Sequence, residues 1–215
     1  MLRLRVRFSR GTEIKFISHL DTVRLWERAM HRADVSLAYT EGFSPHPRIS
    51  LAAPLPIEVT SETELMDITC NETVSPHFFM DTISPQLPTG IRIMQIYPVA
   101  PEMPSLQSQV RFIEYNVEIE TKKKRKTVER SLADMLNAEH FPWQHQRNKS
   151  MRRYDLRPLI DSLWLNGWEN NCCSLGMRLR SDNNGSGRPE QVTLALGFSK
   201  YPRSIHRVKL IQETK

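Results

Sequence analysis

The sequence predicts an α+β protein made of two tandem ferredoxin-like modules of the βαββαβ type, and three observations carry the prediction. Residues 2–8 alternate apolar and basic side chains, the period-two pattern of a half-buried strand. Residues 18–33 repeat apolar side chains at steps of three or four, the pattern of an amphipathic helix. After them come two or three strand-like runs, a short helix and a strand, the order of a split βαβ unit. A similar order returns in the second half.

In the first strand Leu2, Leu4, Val6 and Phe8 take one face. Arg3, Arg5 and Arg7 take the other, which is expected to meet solvent. Ser18 is the expected N-cap of the helix, with Asp21 three residues on, close to a capping box. Leu20, Val23, Trp26, Met30 and Ala33 form its apolar stripe, and Arg24, Arg28, His31 and Arg32 lie on a different face. Asp34 ends the pattern. Short strands are expected at 37–39, 48–52 and 64–70. A helix is expected over 75–87, capped by Ser75 with Pro76 in its first turn. A strand follows at 91–99.

Residues 98–106 carry three prolines and no periodicity, which marks a linker. The expected modules are therefore 1–100 and 107–215. In the second, a strand at 110–120 precedes the cationic run KKKRK, 122–126, and a helix over 127–141. Residues 154–168 read as a strand or a short helix and strand, 174–181 as a strand and 182–187 as a turn. A helix with Pro189 in its first turn and a last strand at 205–212 complete the order.

With 39% hydrophobic and 25% charged residues in 215, the composition is that of a globular chain. No stretch approaches the ~20 apolar residues of a membrane span, and MLRLRVRF lacks the apolar core of a signal peptide, so a cytoplasmic location is expected. Cys70, Cys172 and Cys173 are odd in number, two of them adjacent. They make neither a disulfide framework nor the spaced thiolate set of an iron–sulfur cluster. No metal site and no cofactor is expected. No dinucleotide fingerprint, P-loop or nucleophile elbow occurs. The net charge of +6 points to an anionic partner, nucleic acid first.

Four groups of residues are candidates for chemistry. His19, at the start of the arginine helix, and His46, held between Pro45 and Pro47, are candidate catalytic groups, with Asp21 and Glu41 to orient them. A cap and a rigid turn explain the same residues. Arg3, Arg5, Arg7, Arg24, Arg28, Arg32 and Arg48 could line a groove for phosphates, with Phe16, Trp26 and Phe43 as stacking surfaces or as core. The runs at 122–126 and 147–153 read as a nucleic-acid patch or as solvated loops. Arg157 in DLRP and Arg188 in SGRPEQV are candidate anion ligands.

Residues 15–68 carry FISHLD, R-x-W-x-R-A-x-x-R-A, GFxPHPRIS and S-x-x-E-x-x-D. With DLRP and GRPEQV, this run resembles the radical-SAM-linked family, whose members are fused to, or stand beside, radical SAM cobalamin-binding-type proteins. The family's activity is unassigned. The resemblance implies a radical SAM partner and, through its association with ribosome and RNA-processing proteins, RNA such as tRNA, rRNA or the ribosome. Its marked positions include Ser18, His19, Asp21, Arg24, Arg28, Arg32, Gly42, Phe43, His46, Glu64, Asp67, Asp155, Arg157, Arg188 and Glu190. Where the family often has glycine after PLP-x, this chain has Glu58, so a different turn is expected there. The tandem order is also similar to that of repeat-associated RNA-binding proteins, by fold analogy alone. Three functional readings follow: an RNA-binding accessory protein without its own activity, a metal-independent endoribonuclease using His19 and His46, and a protein-only docking module for the radical SAM enzyme.

Overall fold

A computed structural model describes residues 1–147 and 150–213. The chain divides into two compact units, Met1–Val110 and Arg111–Lys215. Both mix helix and sheet.

The first unit runs β1 (Leu2–Arg10), α1 (His19–Arg32), β2 (Ile49–Leu51), β3 (Val59–Cys70), α2 (Pro76–Ile83), β4 (Ile91–Val99) and a short α3 (Leu106–Gln109). β1 lies between β3 and β4, antiparallel to both, and β2 pairs antiparallel with the outer side of β3. The strand order is therefore β2-β3-β1-β4. Alternation places Leu4, Val6 and Phe8 on the core side, where all three are fully buried with Trp26, Met30, Met66, Ile68 and Phe79. Trp26 meets Phe8 edge to face, ring centroids 5.0 Å apart.

Three expectations are corrected in this unit. The arginine side of β1 is not all solvent: Arg5 is 4% exposed, held by Asp67 of β3 and met by Gln109 at the end of α3. Leu20, placed in the apolar stripe of α1, is 64% exposed, because the cap turns the buried side toward Thr22, Trp26, Ala29 and Met30. At 37–39 there is no continuous strand: Leu37 bridges Cys70 and Tyr39 bridges Pro47 as isolated pairs.

The second unit runs β5 (Val110–Glu120), α4 (Arg125–Asn137), β6 (Pro142–Arg147), β7 (Ser150–Asp155), β8 (Ile160–Glu169), β9 (Cys172–Asp182), β10 (Gly185–Ser186), α5 (Pro189–Ala195) and β11 (Ser204–Gln212). β9 pairs antiparallel with β5, β8 and β10, and β5 neighbours β11. α4 starts inside the KKKRK run and ends at Asn137, four residues short of the expected end. Its buried residues are Val128, Leu132 and Met135. The β6–β7 hairpin is new. Apart from the paired Trp143 and Tyr154 and from Pro142 and Met151, its strands are polar, so period-two alternation gave no signal. No helix among the described residues is long and apolar enough to cross a membrane.

Candidate nucleic-acid interface

The cap of α1 sets the site. Asp21 donates its backbone N–H to the Ser18 hydroxyl at 3.2 Å, and its carboxylate accepts the Ser18 N–H at 3.3 Å and the Ser18 O–H at 2.6 Å. This reciprocal box fixes the helix start and its rotation. With the apolar side against the sheet, Arg24, Arg28 and Arg32 fall one turn apart on the outer side, at steps of about 6 Å along the axis. Together with Asp21 they line a groove of about 540 Å³, whose far wall is the turn at Gln86–Pro88.

The groove is cationic. Arg24 approaches Asp21 at 3.6 Å, and Arg32 donates to the Gln86 carbonyl at 2.5 Å and its side-chain oxygen at 3.2 Å. Arg28 is exposed and has no ion-pair partner among the described residues. The Ser18 hydroxyl and amide, then the charges of Arg24 and Arg28, hold the Asp21 carboxyl below its ordinary range. One permanent carboxylate against three guanidiniums leaves two positive charges in surplus. Phe16, 64% exposed, lies three residues before the start of α1, with Lys15 Nζ 5.1 Å from its ring centroid.

The remaining candidates divide by environment. Arg3 and Arg5 both bind Asp67. Arg3 also donates to the carbonyls of Met103 and Pro104 at 2.8 and 3.0 Å. Arg7 is exposed and donates to Thr63 Oγ1 at 3.1 Å. Arg48 has an exposed side chain, and its backbone N–H reaches the Ala38 carbonyl at 2.8 Å. Trp26 is fully buried and Phe43 fully exposed, so of the three aromatic candidates Phe16 and Phe43 offer rings to a ligand and Trp26 does not.

His19 is half-buried, and its Nδ1 meets no hydrogen-bond partner. His46 closes a turn with its backbone: its N–H donates to Thr40 Oγ1 at 3.0 Å and its carbonyl accepts the Thr40 N–H at 2.9 Å. Gly42, at φ +119°, makes that turn. The His46 and Glu41 side chains are exposed. Among the described residues no hydrogen bond joins His19 to His46, Asp21 or Glu41.

In the second unit Arg157 donates to the Leu136 carbonyl at 2.9 and 3.2 Å and to the Ile160 carbonyl at 2.6 Å, capping the end of α4. Asp155 accepts the N–H groups of Phe141 and Arg157 at 2.8 and 3.0 Å and contacts His140 Nδ1 at 2.7 Å. Arg188 is the exposed N-cap residue of α5 and gives no side-chain cap. Of the run 147–153, Asn148 and Lys149 lie outside the described residues. Sequence reasoning missed Arg10, which is 2% exposed and donates to the Ile14, Lys15 and Ile17 carbonyls at 3.3, 3.2 and 2.5 Å. The available signal was a charge in phase with Leu4, Val6 and Phe8.

Fold and groove together define a class: an α+β chain of two sheet-and-helix units that displays a cationic helix face. The chain belongs to the bacterial family of uncharacterized conserved proteins DUF2344, whose model matches residues 3–189. No curated protein matches it in sequence. In fold it is similar to a chain in the crystal structure of a Cbf5–Nop10–Gar1 complex, with a TM-score of 0.55 and 7% identity, over 99% of this chain and 50% of that one. A chain from an H/ACA RNP bound to a substrate RNA containing 2′-deoxyuridine gives a TM-score of 0.50 and 8% identity, over 99% and 49%. The chain thus spans about half the length of these neighbours. At such identities the likeness is one of fold alone.

Proposed function

We propose that this protein is an RNA-binding accessory factor that works with a radical SAM enzyme in the modification or processing of tRNA or rRNA, without an activity of its own. The observation that carries the RNA reading is the α1 groove: guanidiniums at successive turns suit successive phosphates, and the exposed Phe16, which precedes α1, suits a base. The fold neighbours from ribonucleoprotein complexes agree with it. The radical SAM partner rests on the resemblance of residues 15–68. We read the chain as two ferredoxin-like modules, 1–100 and 107–215. The order β2-β3-β1-β4 supports this for the first, and β8-β9-β5-β11, with the β6–β7 hairpin inserted after α4, supports it for the second.

The test is crosslinking in cells, with the bound RNA sequenced and the co-purifying proteins identified from the same sample. Crosslinks at Phe16 or along α1, together with a radical SAM protein, are expected. A chain that retains no RNA above background would overturn the RNA reading, and one that retains RNA but never the enzyme would overturn the partnership.

A further inference from the structure

The second unit carries a separate cavity that the α1 groove does not explain. Three segments form it: the end of β5 with the loop into α4, the Asn170–Asn171 turn between β8 and β9, and the loop from α5 to β11. Its volume is about 780 Å³, within the roughly 300–1,000 Å³ of small-molecule sites. Lys122, Lys123, Lys200 and Arg203 line it, against the single carboxylate of Glu120.

The cations have different roles. Lys123 is structural: its Nζ donates to the Leu196 carbonyl at 2.8 Å and sits 5.0 Å from the Phe198 ring centroid. It thereby ties the loop into α4 to the end of α5 and shapes the wall. Lys200 pairs with Glu120 at 2.7 Å, and Arg203 adds its field to the same carboxylate, so Glu120 stays ionised below the ordinary range. Lys122 and Arg203 are exposed and have no ion-pair partner among the described residues, so both can meet an anion. The opposite wall is rigid: Asn170 and Asn171 both take left-handed backbone, at φ 46° and 62°, and the Thr121 N–H pins the turn through the Asn171 carbonyl at 2.7 Å.

The positive field extends past the cavity. Lys124 is the N-cap residue of α4 and supplies no side-chain cap, and the first turn has no acidic residue. Arg125 and Lys126 occupy that turn instead, where the helix dipole disfavours cations, and Arg125 pairs with Glu129 at 2.8 Å. A loop that needed only solubility would have no reason to oppose the dipole or to enclose a cavity. Local conflicts of this kind concentrate at functional sites.

We infer that this cavity is a second nucleic-acid site, which takes consecutive phosphates of an RNA backbone between Lys122, Lys200 and Arg203. The continuation of charge over Lys124 and Lys126 favours a strand over a free nucleotide, whose phosphates would end inside the cavity. The inference rests on the RNA reading only for the identity of its ligand.

Cys172 lines the cavity and is half-exposed, whereas Cys70 and Cys173 are buried. Burial, with the neighbouring Cys172, pushes the Cys173 thiol up to about 11, and burial raises Cys70 as well. Alkylation by iodoacetamide at neutral pH therefore reports on Cys172. A short mixed-sequence single-stranded RNA should slow that alkylation about tenfold at ten times its Kd. Replacing Lys122, Lys200 and Arg203 together by Gln should abolish the protection and lower the log–log salt slope of binding by about 2. RNA that binds the full chain yet leaves Cys172 unprotected would overturn the second site and leave the α1 groove standing. Failure of RNA to bind at all would overturn both. ATP or inorganic phosphate protecting Cys172 where RNA does not would overturn the strand as ligand.

Discussion

Arg5 and Asp67 are direct register partners across the β1–β3 ladder, and the guanidinium grips the carboxylate at both oxygens, Nε to Oδ1 at 2.7 Å and an Nη to Oδ2 at 3.0 Å. Arg3 reaches the same Oδ2 through Nε at 2.9 Å. One carboxylate, 6% exposed, thus holds two arginines. The third donor of Arg5 reaches Gln109 Oε1 at 3.1 Å, so the cluster also fastens α3 to the sheet. Asp67→Ala strands Arg5 in a buried position, and breaking a buried pair from one side costs about 3–5 kcal/mol. Urea unfolding should show a loss of that size, against less than about 0.5 kcal/mol for the exposed Arg7→Ala. Equal losses would mean that the cluster is not a structural clasp.

The α1 groove predicts a different signature. Arg24→Glu with Arg28→Glu changes exposed side chains and should leave the unfolding midpoint almost unmoved. Single-stranded RNA affinity should fall steeply at low salt, and the log–log salt slope should drop by about 0.7 for each phosphate contact removed. Arg5→Ala should do the reverse, lowering stability and leaving the slope of the folded fraction intact. Fluorescence anisotropy across a salt series separates the two. An unchanged slope in the double variant would remove the groove from the interface.

The contrast between Arg5 and Arg24 shows what the sequence could convey. Period-two alternation separated Leu4, Val6 and Phe8 from the arginines of β1. It could not tell that the other face is itself partly covered, because the covering partner, Asp67, lies on another strand. The α1 stripe gave the buried Trp26 and Met30 and the outward Arg24, Arg28 and Arg32. It misplaced Leu20, whose exposure depends on where the Ser18–Asp21 box starts the helix. The β6–β7 hairpin was invisible, since a strand with one aromatic among polar residues carries no periodic signal. DLRP was legible as a motif but not as a brace: the partners of Arg157 are backbone carbonyls, which a sequence does not display.

Asp155 gives a pH dependence with a definite sign. The Phe141 amide, then His140 and the Arg157 amide, lower its pKa from the ordinary value of 3.8. A carboxyl depressed in the folded state contributes stability that is complete above its unfolded pKa and is lost as pH falls through the folded value. The difference in unfolding free energy between wild type and Asp155→Asn should therefore be largest near neutrality and shrink as the solution is acidified below the unfolded carboxyl range, about pH 4. Chemical unfolding at several pH values measures it. A difference that stays constant through that range would show that the carboxylate charge does not hold the brace.

Glu58 adopts φ +69° at the position where the resembled family often has glycine. The turn in this chain uses left-handed backbone at Glu58, supplied by a residue with a Cβ. Its N–H donates to the Lys15 carbonyl at 2.8 Å, which ties this turn to the segment leading into α1. Left-handed backbone costs a non-glycine residue about 1–2 kcal/mol. Glycine relieves that strain and returns part of the gain through the greater freedom of the unfolded chain. Glu58→Gly should therefore stabilise the protein by about 0.5–1 kcal/mol, read as a rise in the urea midpoint with an unchanged m-value. Glu58→Ala keeps the Cβ and should give no such gain, which separates backbone relief from loss of the carboxylate. If the alanine variant gains as much as the glycine variant, the charge of Glu58 is the destabilising element and the backbone account is wrong.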